Sequence, residues 1–209
     1  MSFVKDVFLI TLYFFIFAFI HSLLASQTVK KIFKKHLKLK IAFYRLAYNI
    51  ISTILFFVLL YFMPKPHFLI YEVSFPFDLM IYALQVGSLF GLIWTTRYFS
   101  LKEFLGISQI KRYFQGNYKE DLDEMISLRE DGPYKISRHP VYLFSIFFLV
   151  FRPYMTLFYL TIVINIIIYF YIGSHFEEKR LENLFGENYR LYKMKVSRIF
   201  PIKWLVKGS

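Results

Sequence analysis

The sequence predicts an all-α protein of the membrane class: a polytopic transmembrane helix bundle with about five membrane segments, a C-terminal helical hairpin and an amphipathic cytoplasmic tail helix. Three observations predict it. Of 209 residues, 57% are hydrophobic and 19% charged, with a mean hydropathy of +0.46. A soluble domain of this size has too little interior to hide that much apolar side chain. The apolar residues gather in runs of membrane-spanning length, and Lys and Arg fall in alternate loops, as a chain threading a bilayer requires.

The first run extends from about Val4 to Ala25, interrupted mainly by Asp6, His21 and Ser22. At about 1.5 Å per residue it reaches across a hydrocarbon core of about 30 Å. A signal peptide is the competing reading. The length of the run, the single Lys5 at its start and the lysine-rich flank that follows oppose it. The second run, Ile41 to Met63, ends against Pro64 and Pro66, and the third, about Leu79 to Phe99, opens after Pro76 and Asp78.

The fourth apolar region is divided. Val141 to Phe151 is followed by Arg152-Pro153 and a longer run from Tyr154 to about Ser174. The shorter piece makes a helix of roughly 16 Å, too short to cross alone. It is either re-entrant or strongly tilted beside its neighbour, or half of one kinked crossing. A kinked crossing places Arg152 near mid-bilayer at about 2.5–3.5 kcal/mol, so a helix–turn–helix hairpin with Arg152 near the outer surface is expected. Lys30, Lys31, Lys34, Lys35, Lys38 and Lys40 crowd the loop from Ser26 to Lys40, whereas Pro64 to Asp78 holds only Lys65. Ser100 to His139 and the tail after Ser174 are basic again. Five crossings with an external N-terminus satisfy this alternation.

The polar stretch from Ser100 to Arg138 contains Glu120, Asp121, Asp123, Glu124, Glu130 and Asp131. A connection so long in a compact protein is usually functional or carries short helices. From Phe176 the tail reads as an amphipathic helix through Leu181, Leu184 and Phe185, and its aromatic–basic end, Tyr189 to Trp204, belongs at headgroup level. The whole chain, 1–209, reads as a single domain.

The chain has no cysteine, which excludes disulfides, iron–sulfur clusters, thiolate zinc sites and a Cys nucleophile. The net charge of +12 fits cytoplasmic loops facing anionic lipid; without a recognition motif it does not indicate nucleic acid. A transporter is disfavoured, because five crossings give no even inverted repeat.

Two polar clusters flank the final hairpin. In the first, Gly132-Pro133-Tyr134 precedes Ser137-Arg138-His139-Pro140-Val141-Tyr142. Gly-Pro makes a turn and Pro140 can open a helix, which puts Arg138 and His139 beside an N-terminus that favours an anion. The second is His175-Phe176-Glu177-Glu178-Lys179-Arg180. If the hairpin is antiparallel, cations and an aromatic ring face paired carboxylates. Taken singly, Arg138 reads as a snorkelling flank, Tyr142 as an interfacial aromatic, and the glutamates as solvated or as partners of Lys179 and Arg180. A metal site from His139, His175 and the glutamates matches no zinc spacing, and no metal is assigned.

As an ordered set these residues are specific. Gly132-Pro133-Tyr134, Arg138-His139-Pro140-x-Tyr142, an apolar hairpin, Glu177-Glu178-x-x-Leu181-x-x-x-Phe185-Gly186-x-x-Tyr189-x-x-Tyr192 and Val196-x-Arg198-x-x-Pro201 span about residues 128–201. The pattern resembles the isoprenylcysteine carboxyl methyltransferase and phospholipid methyltransferase superfamily of integral membrane enzymes. The resemblance implies S-adenosyl-L-methionine as cofactor, with Tyr134, His139, Tyr142, Glu177 and Glu178 on it and Arg138 and Pro140 shaping the turn. His21-Ser22-Leu23-Leu24-Ala25-Ser26, Tyr44-Arg45-Leu46-Ala47-Tyr48-Asn49 and Phe104-Leu105-Gly106-Ile107-Ser108-Gln109 look like the branch of methanethiol S-methyltransferases and NnrU-type membrane proteins. That implies acceptor-side, catalytic roles for His21, Arg45, Tyr48 and Asn49; helix–helix hydrogen bonds and snorkelling are the other reading of these four. The implied function is methyl transfer to a small thiol or lipid-soluble acceptor at the cytoplasmic face of a cell membrane, with membrane lipids as the other partner. A non-catalytic NnrU-like protein and a phospholipid or isoprenylcysteine methyltransferase are the alternatives.

Overall fold

The computed structural model describes residues 2–119 and 127–207. In chain order its α-helices are α1 (Ser2–Ala25), α2 (Gln27–Leu37), α3 (Tyr44–Phe62), α4 (Phe77–Thr96), α5 (Leu101–Leu105), α6 (Ile107–Phe114), α7 (Pro140–Val150), α8 (Leu157–Phe185), α9 (Glu187–Lys195) and α10 (Ile202–Lys207). Short 3-10 turns cover Lys38–Phe43 and Gly132–Lys135, and two short strands, β1 (Leu69–Glu72) and β2 (Tyr154–Thr156), pair antiparallel. The fold class is the helical membrane bundle that the sequence predicts. Its small sheet was not foreseen.

Among the described residues, four helical stretches are long and apolar enough to cross a membrane: Phe3–Ala25, Gln27–Phe62, Phe77–Thr96 and Leu157–Phe185. Within the second, α2 carries Lys30, Lys31, Lys34 and Lys35. At about 2.5–3.5 kcal/mol for each Lys at the helix centre, α2 is unsuited to hydrocarbon, so α3 is the part of this stretch with the composition of a crossing. The fifth apolar segment, α7, is 11 residues long, too short to cross unaided.

The chain divides into two compact units: Met1–Lys65 with Ser100–Ser127, and Pro66–Phe99 with Leu128–Ser209. In the first, α1 packs on α3, with Phe17 edge-on to Phe56 at 5.3 Å. The segment after Ser26, read from sequence as a loop, is largely helix. Ser26 caps α2, its Oγ accepting the Val29 N–H at 3.3 Å, and the apolar spacing of Val29, Ile32, Phe33 and Leu37 supplies the helical face. The expectation that the polar stretch carries short helices is met by α5 and α6. Glu120, Asp121, Asp123 and Glu124 lie outside the described residues.

In the second unit, α4 packs along α7. Ser88, Gly91 and Thr95 are buried on one face of α4, a stripe of small residues that permits close approach of two helices. Gly91 lies so near Phe144 that an added Cβ would sit 2.3 Å from its ring. Gln85 Nε2 donates to the Phe148 carbonyl at 3.0 Å, which meets one of the carbonyls left unpaired at the end of α7. Past Phe151 the chain turns, pairs as β2 with β1, and enters α8, whose N-cap Thr156 accepts the Tyr159 N–H. The guanidinium of Arg152 lies over the Tyr159 ring at 4.3 Å, a cation–π contact. One difference from the sequence reading matters most for the site. α8 does not stop near Ser174 but continues unbroken to Phe185, so Glu177 and Glu178 sit on the helix that bears the apolar run.

Candidate functional site

Residues 132–142 are held in place from two directions. Gly132 has φ +55, and a Cβ there would lie 2.1 Å from the Tyr98 ring, so both the turn and the close approach require glycine. The Arg138 and His139 N–H groups donate to the Ser197 and Arg198 carbonyls, each at 3.0 Å. Buried Ser137 donates its hydroxyl to the Arg198 carbonyl at 3.0 Å. His139 is the N-cap of α7 and Pro140, buried, is its first residue. The turn is thus tied to the segment after α9, and the hairpin of α7 and α8 brings its two ends together.

At that junction the two sequence clusters meet. The Arg138 Nε–H donates to Glu178 Oε1 at 2.7 Å, and a second guanidinium nitrogen lies 2.7 Å from the same oxygen. Its third nitrogen donates to the carbonyls of Val196 and, at 3.2 Å, Lys193. The side chains of Arg138 and Glu178 are only 6% and 2% exposed. Arg138 therefore locks the α8–α9 end to the α7 turn and is spent on that task. Around Glu178 stand two more cations, with Arg198 Nε at 3.4 Å and Lys193 Nζ at 3.9 Å from Oε2. Lys193 also pairs with Glu182.

His139 lies between the carboxylates. Its Nε2 is 3.3 Å from Glu178 Oε1 and its Nδ1 3.4 Å from Glu177 Oε2. An ionised carboxylate only accepts, so both contacts are satisfied together only by the doubly protonated ring. Burial opposes that charge, but the hydrogen bonds and negative charges of Glu177 and Glu178 outweigh it and raise the His139 pKa above its ordinary value. The His139 ring stacks on Tyr142 at 5.3 Å, Tyr142 stacks on Phe170 at 4.5 Å, and the Tyr142 hydroxyl donates to Glu177 Oε2 at 3.3 Å. Glu177, 49% exposed, is the open member of the group.

Tyr134 contributes differently. Its carbonyl accepts from the Tyr192 hydroxyl at 2.7 Å, and its side chain packs on the core of Tyr189, Tyr192 and Val196. Glu178 Oε2, though near these cations, and the Tyr189 hydroxyl are buried polar atoms with no hydrogen-bond partner among the described residues. Arg198, Tyr171 and Phe170 have no place in the sequence-derived site. Arg198 lies over the Tyr171 ring at 5.2 Å as well as beside Glu178. Phe170 and Tyr171 precede Glu177 and Glu178 by seven residues, two turns along the same helix face, a spacing that could have found them.

The other four sequence-derived residues lie in the first unit. The Tyr48 hydroxyl and His21 Nε2 are 2.8 Å apart, and the His21 ring stacks on Phe17 at 5.3 Å. Arg45 Nε and Asn49 Nδ2 both donate to the Phe104 carbonyl, at 2.7 and 3.1 Å. Gly106, at φ +89, brings its backbone so near α3 that a Cβ would lie 2.7 Å from the Leu46 nitrogen. The Tyr44–Asn49 and Phe104–Gln109 motifs are therefore two halves of one contact. Among the described residues no group of three or more His, Asp or Glu is placed to hold a metal ion.

No family model matches the chain, and no solved structure matches it. The chain is similar to methanethiol S-methyltransferases. One from Bradyrhizobium diazoefficiens is 30% identical over 191 residues, covering 89% of this chain and 64% of the relative. One from Pseudomonas deceptionensis is 39% identical over 75 residues, 36% of this chain and 29% of the relative, and one from another Pseudomonas is 31% identical over 91 residues, 44% and 35%. This chain spans less than two thirds of the length of each.

Proposed function

From this likeness and the site geometry, we propose that the protein is an integral membrane methyltransferase that uses S-adenosyl-L-methionine and methylates a small thiol such as methanethiol. One observation carries the reading. The Arg138-His139-Pro140 turn and the Glu177-Glu178 pair, distant in sequence, are in direct contact. The residues fit such a cofactor. Buried oxygens of Glu178 and Tyr189 that carry no hydrogen bond among the described residues, a half-exposed carboxylate at Glu177 and a stacked ledge of His139, Tyr142 and Phe170 offer acceptors for a diol or ammonium and flat surfaces for a nucleoside or sulfonium.

The cofactor, when bound, supplies an activated methyl group on a sulfonium. The chain's own work is then to position and to exclude water. Glu177 accepts hydrogen bonds from polar groups of the ligand, Tyr142 holds Glu177 in place, and the His139 imidazolium keeps both carboxylates ionised. Arg138 and Pro140 fix the turn, and Tyr134 anchors it to α9. His21, Arg45, Tyr48 and Asn49 are assigned to the acceptor side on the resemblance. The alternation of basic and non-basic loops supports a cytoplasmic site in a cell membrane.

The test is cofactor binding to purified full-length protein in detergent, followed by transfer of labelled methyl to methanethiol. Glu177→Ala and His139→Ala should each weaken cofactor binding by roughly tenfold or more, the scale of a lost charged hydrogen bond. Wild-type protein that is folded and binds no cofactor would turn the reading to a non-catalytic membrane protein. Binding without turnover of thiols would redirect it to a lipid or isoprenylcysteine acceptor.

A further inference from the structure

Helix α2 follows α1 after one residue, Ser26, and none of its residues is buried. Lys31 and Lys35 are exposed one turn apart, and Lys38 and Lys40 extend the exposed basic stripe past its end. On the other side stand Ile32, Phe33 and Leu37, with exposures of 54%, 42% and 36%, followed by Leu39 at 50%. Phe33 rests on Tyr44 at 5.2 Å, which turns the apolar edge toward the start of α3. This is the pattern of a helix lying in the membrane–water boundary.

Its place in the chain agrees. The 24 residues of α1 exceed the length needed for the hydrocarbon core, so α2 begins where the bilayer ends. Between Asp6 and Glu72 the sequence has no Asp or Glu, so no carboxylate within that segment meets the lysines. We propose that α2 binds anionic phospholipid headgroups, with Lys31, Lys35, Lys38 and Lys40 on the phosphates and Ile32, Leu37 and Leu39 among the acyl chains. The partner is lipid because the apolar edge is continuous with the lipid-facing surface of α1 and α3, and its charge is opposite to that of the stripe.

The test uses full-length protein in nanodiscs of mixed phosphatidylglycerol and phosphatidylcholine, with native mass spectrometry of the lipids that remain bound. Phosphatidylglycerol should be enriched by about fivefold or more, the gain from even one basic residue near an anionic surface. The enrichment should collapse near about 1 M salt, where charges are screened beyond about 3 Å. K31Q/K35Q/K38Q/K40Q should abolish it, and the same four positions as Arg should retain it. Equal retention of the two lipids by wild type, or unchanged enrichment in the Gln variant, would overturn the proposal. If the Gln variant does not fold, enrichment by wild type that survives high salt overturns it just as well. Displacement of the lipid by a soluble acidic peptide at lower concentration than free phosphatidylglycerol would instead identify a protein partner and also overturn it.

Discussion

Glu178 is a carboxylate with 2% of its side chain exposed, and an ion removed from water costs several kcal/mol unless partners surround it. Arg138, His139, Arg198 and Lys193 are those partners. Arg138→Ala removes the nearest and also frees two carbonyls of the α9 end, so it should destabilise the protein by about 3–5 kcal/mol, read as a lowered unfolding temperature in detergent. Arg138→Lys should not restore it, since an ammonium cannot span a carboxylate and two carbonyls as a guanidinium does. A lysine variant as stable as wild type would show that charge alone suffices. His139 gives the pH dependence. Its folded-state pKa is raised, so its contribution is complete below the ordinary value of about 6.5 and is lost as pH rises through the raised value. The unfolding temperature should therefore fall as the solution is made alkaline through that window, and the fall should be reduced in His139→Gln. A Gln variant with the wild-type slope would assign the titration elsewhere.

At the scale of elements, α4 carries two glycines with opposite expectations. Gly91 faces Phe144 with no room for a Cβ, whereas nothing among the described residues lies within 4 Å of a Cβ at Gly87. Gly91→Ala should cost about 1–3 kcal/mol by overpacking, while Gly87→Ala should be neutral or stabilise by up to about 1 kcal/mol through helix propensity. Thermal unfolding of the two variants side by side checks this, and equal shifts would mean that α4 and α7 are not closely packed. The same elements explain what could be read in advance. The juxtaposition of Arg138 and His139 with Glu177 and Glu178 was legible because an apolar piece as short as α7 must return on its neighbour. Arg198 stood in the motif without a role, since its approach to Glu178 depends on how the chain leaves α9. Strands as short as β1 and β2 leave no periodicity to detect. The lysines of α2 hid the helical spacing of its apolar residues. Arg45 and Asn49 were legible as polar groups at a helix end, but not as ligands of the Phe104 carbonyl, because that carbonyl is brought up by the Gly106 turn.

For the whole molecule, the direction in which the helices thread a bilayer is directly measurable, because the sequence has no cysteine. Lysine-rich segments resist translocation, so the proposed topology predicts α2 on the cytoplasmic side and the chain near Lys65 outside. By the same rule it predicts the turn between α7 and α8 outside and the Glu177–Arg180 region inside. Single cysteines then give two independent comparisons, each within one compact unit: Lys35→Cys against Lys65→Cys, and Tyr154→Cys against Lys179→Cys. Tyr154 is 43% exposed and Lys179 is exposed, so both report without disturbing a core. In intact cells a membrane-impermeant maleimide should label Lys65→Cys and Tyr154→Cys, and the other pair only after permeabilisation. Labelling of Lys179→Cys from outside would put the carboxylate pair on the face without cytoplasmic cofactor, and a methyltransferase supplied from the cytosol could not work there. Labelling of Tyr154→Cys only from within would mean that α8 enters from the cytoplasm, and the hairpin would then run the other way through the membrane with its basic end outside.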